Sequence, residues 1–102
     1  MSKSDNGDEA AAFYEKRTKW AEFISTNPEV SDRAFRVGYW LSRRMNGEDQ
    51  CCWFSIEQIA QRMGKKHRTV ASAIADLRAA NVIIVVEERG RTNTYYLHAP
   101  FF

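Results

Sequence analysis

The chain has no apolar run long enough to cross a bilayer. Its longest purely apolar stretch, Val82–Val86, falls far short of the roughly 20 residues that a spanning helix needs. The N-terminus, MSKSDNGDEA, has no basic start, apolar stretch or cleavage site of a secretory signal, so the expectation is a cytoplasmic protein with no membrane partner. Cysteine is scarce, and its two copies, Cys51 and Cys52, are adjacent. That spacing suits neither a CxxC redox pair nor a zinc knuckle and is awkward for a disulfide. Both are read as reduced thiols, at least one of them in the core. His67 and His98 stand alone in the sequence, which argues against a metal site. Repeats, low-complexity tracts, a glycine-rich phosphate loop, an HExxH pair and a nucleophile elbow are all missing. An active site would have to be assembled from His67, His98, the cysteines or scattered acids. The expectation is therefore a protein that is not an enzyme and has no cofactor and no small-molecule ligand.

What is present is the makeup of one small globular domain: 102 residues, 44% hydrophobic and 13% aromatic. That is enough chain for a single core. The net charge is only +2, but it is unevenly spread. Residues 61–102 carry Arg62, Lys65, Lys66, Arg68, Arg78, Arg89 and Arg91 against Asp76, Glu87 and Glu88, whereas residues 1–60 are slightly acidic. The basic potential is expected in the C-terminal part.

The most informative stretch is SIEQIAQRMGKKHRTVASAIADLRAA, Ser55 to Ala80. Ile56, Ile59, Ala60 and Met63 recur at helical spacing, and after Gly64 so do Val70, Ala73, Ile74 and Leu77. Ser55 and Gln58 form a capping box, Phe54 and Ile59 a hydrophobic staple. Gly64 suits the left-handed turn that ends a helix. With only Lys65 and Lys66 between the periodic segments, the two helices are held at a steep angle across a tight turn. Once the apolar stripe of the second helix faces inward, Arg68, Thr69, Ala71, Ser72 and Asp76 point elsewhere. Lys65, Lys66, His67 and Arg68 crowd its N-terminal end, where cations oppose the helix dipole. They are either ordinary solvated charges or the mark of an anionic partner, since free N–H groups at a helix start also receive phosphate.

Upstream, residues 1–8 are polar and acidic and are expected to be disordered. A helix is expected from Glu9 to Ser25, ended by Asn27-Pro28. Its stripe of Phe13, Tyr14, Trp20, Phe23 and Ile24 either packs on the chain's own core or pairs with a second copy. Ser31 starts the next helix, with Val30 and Phe35 as a staple and Ala34, Val37, Gly38, Leu41 and Met45 inward, running to Asn46-Gly47. At least one of Tyr39 and Trp40 is expected to cover the first helix. Gln50–Phe54 reads as a short strand. Trp53, Phe54 and Tyr95 read as core, which argues against a single-strand binder with exposed stacking aromatics; Tyr96 is the exception. Asn81 suits the left-handed residue after the second helix of the pair. Val82–Glu88 and Asn93–His98 form a β-hairpin around Arg89-Gly90-Arg91-Thr92, with Tyr95 and Leu97 inward and Tyr96 and His98 outside. The apolar tail 99–102 either covers the core or is the cut edge of a longer protein.

The order helix, helix, short strand, helix, turn, helix, hairpin resembles the winged helix-turn-helix. The residues that carry the match are WFSIEQIAQRMG, RTVASAIADLRAANVI and GRTNTYYL. The chain is similar to winged-helix proteins of plasmids, phages and other mobile elements, including small transcriptional regulators and the N-terminal domains of replication initiators. The resemblance implies a mostly helical α+β fold: an added N-terminal helix (9–26), a DNA-binding domain (29–98) and the tail. It implies double-stranded DNA as partner, with Lys65, Lys66, His67, Arg68, Thr69 and Ser72 facing a major groove. Arg89, Arg91 and Thr92 would ride a wing over phosphates or into the minor groove, and Ser55 and Gln58 would add a phosphate contact. Arg68 is the first candidate for a guanine contact. The implied role is a sequence-specific regulator of a mobile element. Alternatives are a replication initiator, an excision-type module, or a winged helix used as a protein-interaction domain. A homodimer through Phe13, Tyr14, Trp20 and Phe23 would set half-sites about one helical turn apart. The sequence departs from the family pattern in placing Lys65 and Lys66 where a small apolar residue and a Ser or Thr cap are usual, a loss of about 1 kcal/mol.

Overall fold

The computed structural model describes residues 3–88, 90 and 92–102. In chain order the elements are α1 (Lys3–Ser25), α2 (Asp32–Ser42), β1 (Cys52–Phe54), α3 (Ile56–Met63), α4 (His67–Ala79), β2 (Ile83–Glu87) and β3 (Asn93–Leu97). The strands form one antiparallel sheet in the order β1-β3-β2. This is a mostly helical α+β architecture, a winged helix-turn-helix carrying an extra N-terminal helix. Arg89 and Arg91, the two arginines expected on the wing, lie outside the described residues.

The core is built from the stripes expected of each helix. Ala34, Val37, Leu41 and Met45 of the α2 segment, Ile59 and Ala60 of α3, and Val70, Ala73, Ile74 and Leu77 of α4 are all buried. Ser31 caps α2 by accepting from the Ala34 N–H at 3.1 Å. Gly38 lets three helices close on one another: a Cβ there would stand 3.2 Å from both Leu77 Cδ2 and the Trp20 ring.

Three boundaries and placements differ from expectation. The first helix begins at Lys3 rather than near Glu9, so residues 3–8 are helical instead of disordered. Once the apolar segment has formed, each further residue extends the helix at the cost of only its own ordering. The second helix stops at Ser42 and not at Asn46-Gly47. There Arg44 and Met45 donate to Leu41 and Ser42 in tighter turns, and the Asn46 side chain accepts from the Glu48 and Asp49 N–H groups at 2.9 and 2.7 Å. An Asx turn thus competes with the helix. Gly47 follows because α1 passes over it: a Cβ would meet the Ala10 backbone at 2.7 Å.

The third difference is Trp53, expected in the core but 52% exposed. Strand alternation decides this. Cys52 and Phe54 turn to the helices, so Trp53 takes the outer face beside Thr94 and Val86. Tyr95 and Leu97 are buried and Tyr96 is outside, as the period of two requires. The outer face therefore carries Trp53, Ile84, Val86 and Tyr96, each 39–52% exposed.

The first helix belongs to the same core. Trp20 is fully buried, and its indole N–H donates to both Val82 O and His98 O, at 2.9 and 3.1 Å. Arg17 donates to Met45 O at 2.9 Å. Tyr39 shares a groove with Arg17, Thr18 and Ala21 of α1, while Trp40 turns instead to Phe54, ring centroids 5.2 Å apart. The tail covers α1: Ala99 is buried and Phe101 packs edge-on against Phe23 at 5.6 Å.

Candidate nucleic-acid interface

The helix pair begins with a complete capping box. The Gln58 N–H donates to the Ser55 hydroxyl at 3.1 Å, and the Ser55 N–H to the Gln58 side chain at 2.8 Å. These two side chains are thereby committed to the fold at the start of α3, although Gln58 remains exposed. The helix ends on Gly64 in the left-handed region, φ 65°, with Lys65 N–H donating to Ala60 O at 2.8 Å. This closure brings the chain round at once into α4.

The start of α4 is uncapped. Lys66 holds the N-cap position in extended conformation, and its side chain makes no capping hydrogen bond. The first turn of α4 has no acidic residue. Lys66, His67 and Arg68 are exposed, and Lys65, Thr69 and Ser72 are half-buried. Among the described residues the only ion pairs are Arg33–Asp76 at 3.1 Å and Arg78–Glu87 at 3.4 Å. The cations at the head of α4 thus form no ion pair among the described residues, and they stand where the helix dipole is itself positive. A stretch of backbone donors and cations facing solvent is suited to receive phosphate oxygens.

Further along, α4 is tied down. Asp76 accepts from Arg33 at 3.1 Å and from the Ser31 hydroxyl at 3.2 Å, both at the start of α2. Val70, Ala73, Ile74 and Leu77 anchor the inner face. Asn81 takes the left-handed conformation, φ 61°, and sends the chain into β2. The end of α4 bonded to α2 is therefore the far one, and the uncapped end is the basic one. Of the wing, Gly90 lies at φ 100° and Thr92 is exposed.

One group of basic residues has no counterpart in the sequence reading. Arg36, Arg43 and Arg44 along and beyond α2, with Arg62 from the last turn of α3, line a groove of about 340 Å³ together with Tyr39 and Trp40. The Arg44 guanidinium lies 3.8 Å from the Trp40 ring centroid, and Arg62 lies 5.5 Å from that of Phe54. The sequence signal for it is the pair Arg36 and Arg43, seven residues apart along α2 and its C-cap on a side away from Val37 and Leu41.

The surface proposed for a second copy is not available as expected. Phe13 is 5% exposed and Trp20 wholly buried, so both pack on the chain's own core. Phe23 is half-buried under Phe101, and only Tyr14, 41% exposed, remains at the surface. A helix with large aromatics is cheaper to bury within its own domain when the chain offers carbonyls to its indole, as Val82 and His98 at the ends of the hairpin do.

Both cysteines are free and buried. Burial, reinforced by the neighbouring Cys51, pushes the Cys52 thiol up to about 12. Burial also raises Cys51, with Asp49 adding and a Tyr96 hydrogen bond opposing, and raises Tyr95 against an opposing bond from Asn93. Thiols held protonated in this way are poor nucleophiles and metal ligands. Among the described residues no three His, Cys, Asp or Glu side chains are grouped to hold a metal, and no helix is long and apolar enough to cross a membrane.

A comparison with curated proteins finds no match. A family model described as a helix-turn-helix domain matches residues 29–83, from the turn before α2 through α3 and α4 to the first residue of β2. That stretch exceeds half of the chain and contains the uncapped basic turn, which supports DNA as the partner. The chain belongs to the helix-turn-helix domain family.

Proposed function

We propose that this protein binds double-stranded DNA in a sequence-specific manner, with α4 in the major groove and the β2–β3 wing on the flanking backbone, and that it acts by binding rather than catalysis. The observation that carries the reading is the head of α4: a lysine stands at an N-cap that it does not cap, followed by His67 and Arg68 with no acid in the first turn. Such an arrangement costs the fold about 1 kcal/mol in lost capping and adds unfavourable dipole terms. An anionic partner reverses the sign of those terms. In this reading Arg68 contacts a base edge, Lys65, Lys66 and the wing arginines Arg89 and Arg91 grip phosphate, and Thr69 and Ser72 line the groove. The role that best fits the resemblance to mobile-element proteins is a transcriptional regulator, with replication initiation and excision as the alternatives.

The test is fluorescence anisotropy of the chain on a random-sequence duplex and on the DNA upstream of its own gene, across a salt series. Tighter binding to the upstream DNA, falling steeply with salt and losing its preference in Arg68→Ala, is the expected result. Absence of salt-dependent binding to either duplex overturns the reading.

A symmetric dimer is the second part of the proposal, with the outer sheet face of Trp53, Ile84, Val86 and Tyr96 in place of α1 as its surface. Contiguous apolar side chains of this size at the surface generally mark a contact site, and a second copy seated there would set half-sites about one helical turn apart. Sedimentation showing a monomer both free and on DNA removes it. A dimer that persists in Trp53→Ser moves the interface elsewhere.

A further inference from the structure

We propose that the arginine groove between α2 and α3 is a second phosphate-binding strip, which takes the backbone of the same duplex beyond the segment held by α4. The inference rests on the DNA-binding reading and extends it to residues that neither the family match nor the helix-turn-helix geometry assigns to DNA.

The groove gathers four guanidinium groups, and no acidic side chain lines it. None of the four is in an ion pair among the described residues. The C-terminal ends of α2 and α3 meet there, and each offsets about half a charge. This leaves a surplus of about three positive charges in one depression, which the fold does not neutralise. Arg36, in the middle of α2, gains nothing from either helix end.

Two of the four are pre-ordered. Arg62, Phe54, Trp40 and Arg44 form a ladder: Arg62 over Phe54 at 5.5 Å, Phe54 edge-on to Trp40 at 5.2 Å, and Trp40 under Arg44 at 3.8 Å. Arg44 also donates to Trp40 O at 3.0 Å. Stacking fixes the planes of the guanidinium groups and reduces the side-chain entropy lost when they receive an oxygen anion. Arg36 and Arg43 stand exposed beside them.

The groove also adjoins the proposed DNA surface along the chain. Arg62 and Met63 line it, and the chain passes directly from them through Gly64 into Lys65 and Lys66. The groove and the head of α4 are thus two residues apart along the chain, within reach of one duplex. A phosphodiester chain, with evenly spaced charges along one line, fits such a surface better than a single small anion does.

The test uses the full chain and two random-sequence duplexes, one little longer than a helical turn (about 12 base pairs) and one of about 30. Arg36→Gln/Arg43→Gln removes the two arginines that pack on no aromatic ring, and a melting curve equal to that of the parent confirms the fold. On the long duplex the affinity is expected to fall about tenfold and the slope of log K against log salt to shrink by about 1.8, at about 0.9 per phosphate contact. On the short duplex the change is expected to stay within about twofold. Arg36→Lys/Arg43→Lys should restore most of the slope. An unchanged long-duplex affinity and slope, with the parent chain still binding, overturns the groove and leaves the DNA reading standing. Loss of binding to a 30-nucleotide single strand with the duplex unaffected overturns it in favour of a single-strand site. No duplex binding by the parent chain overturns both.

Discussion

Two basic regions of this domain are held in opposite ways. At the head of α4, Lys65, Lys66, His67 and Arg68 are consecutive in the chain, the last three of them exposed; the fold tolerates them at a helix end that lacks a cap. In the groove, Arg36, Arg43, Arg44 and Arg62 come from α2, the turn after it and α3, and two of them lie on aromatic rings packed against the core. Charge that serves only a partner can be changed without disturbing the fold. Charge that is stacked on Trp40 and Phe54 is part of the packing as well. In the proposed reading, the contrast separates an exposed surface for base edges from a ring-stacked one for a regular backbone.

The largest effect expected from breaking this contrast is that of Trp40→Ala. Removing the half-buried ring takes away the brace of Arg44 and a neighbour of Phe54, and urea denaturation should show a loss of about 2 kcal/mol. Lys65→Ala/Lys66→Ala, by comparison, should leave stability within about 0.5 kcal/mol. Next is Arg68→Ala, which should cost about tenfold on a preferred duplex, close to 1.4 kcal/mol, and little on a random one. A competition experiment reads the difference. If both duplexes lose equally, Arg68 is a phosphate contact and the two regions are alike in kind.

Both surfaces depend on the same core, whose alkaline limit is set in part by Cys52. Its thiol ordinarily ionises near 9.0 and in the fold keeps its proton to about 12. Across that window the folded chain binds more protons than the unfolded one, so stability falls as the pH rises, by up to about 1.4 kcal/mol per pH unit. Cys52→Ala should flatten this branch in denaturation curves taken from pH 9 upward; the residual slope belongs to Cys51 and Tyr95, which burial also raises. The smallest effect sharpens the contrast most. Lys66→Ser supplies the missing cap and should raise stability by about 1 kcal/mol, or about 4 °C in melting temperature, while weakening DNA binding and lowering the salt slope by about 0.9. A gain in stability without loss of binding would make Lys66 a neutral surface residue.

Much of the fold was legible because it is local. The capping box at Ser55 and Gln58, the left-handed turns at Gly64 and Asn81, and the inward stripes of α2, α3 and α4 each depend on residues within one or two helical turns. The head of α4 was legible for the same reason, since its cations are neighbours in the chain. The end of α2 was not, because an Asx turn at Asn46 and the passage of α1 over Gly47 outweigh helical periodicity there. Trp53 was misplaced because an aromatic residue in a three-residue strand was assigned by its hydrophobicity, whereas the face of the sheet is set by pairing with β3.

By itself, the sequence determined the helix-turn-helix pair, the hairpin that follows it and the uncapped basic turn between α3 and α4, since propensity, capping and periodicity act over a few residues. Only the tertiary structure decided that Phe13 and Trp20 belong to the core and not to a partner, because the acceptors of the Trp20 indole, Val82 O and His98 O, come from the other end of the chain. It alone also brought three arginines from the acidic half of the sequence to Arg62. Net charge summed along a chain cannot register a surface that forms only when two helices pack side by side.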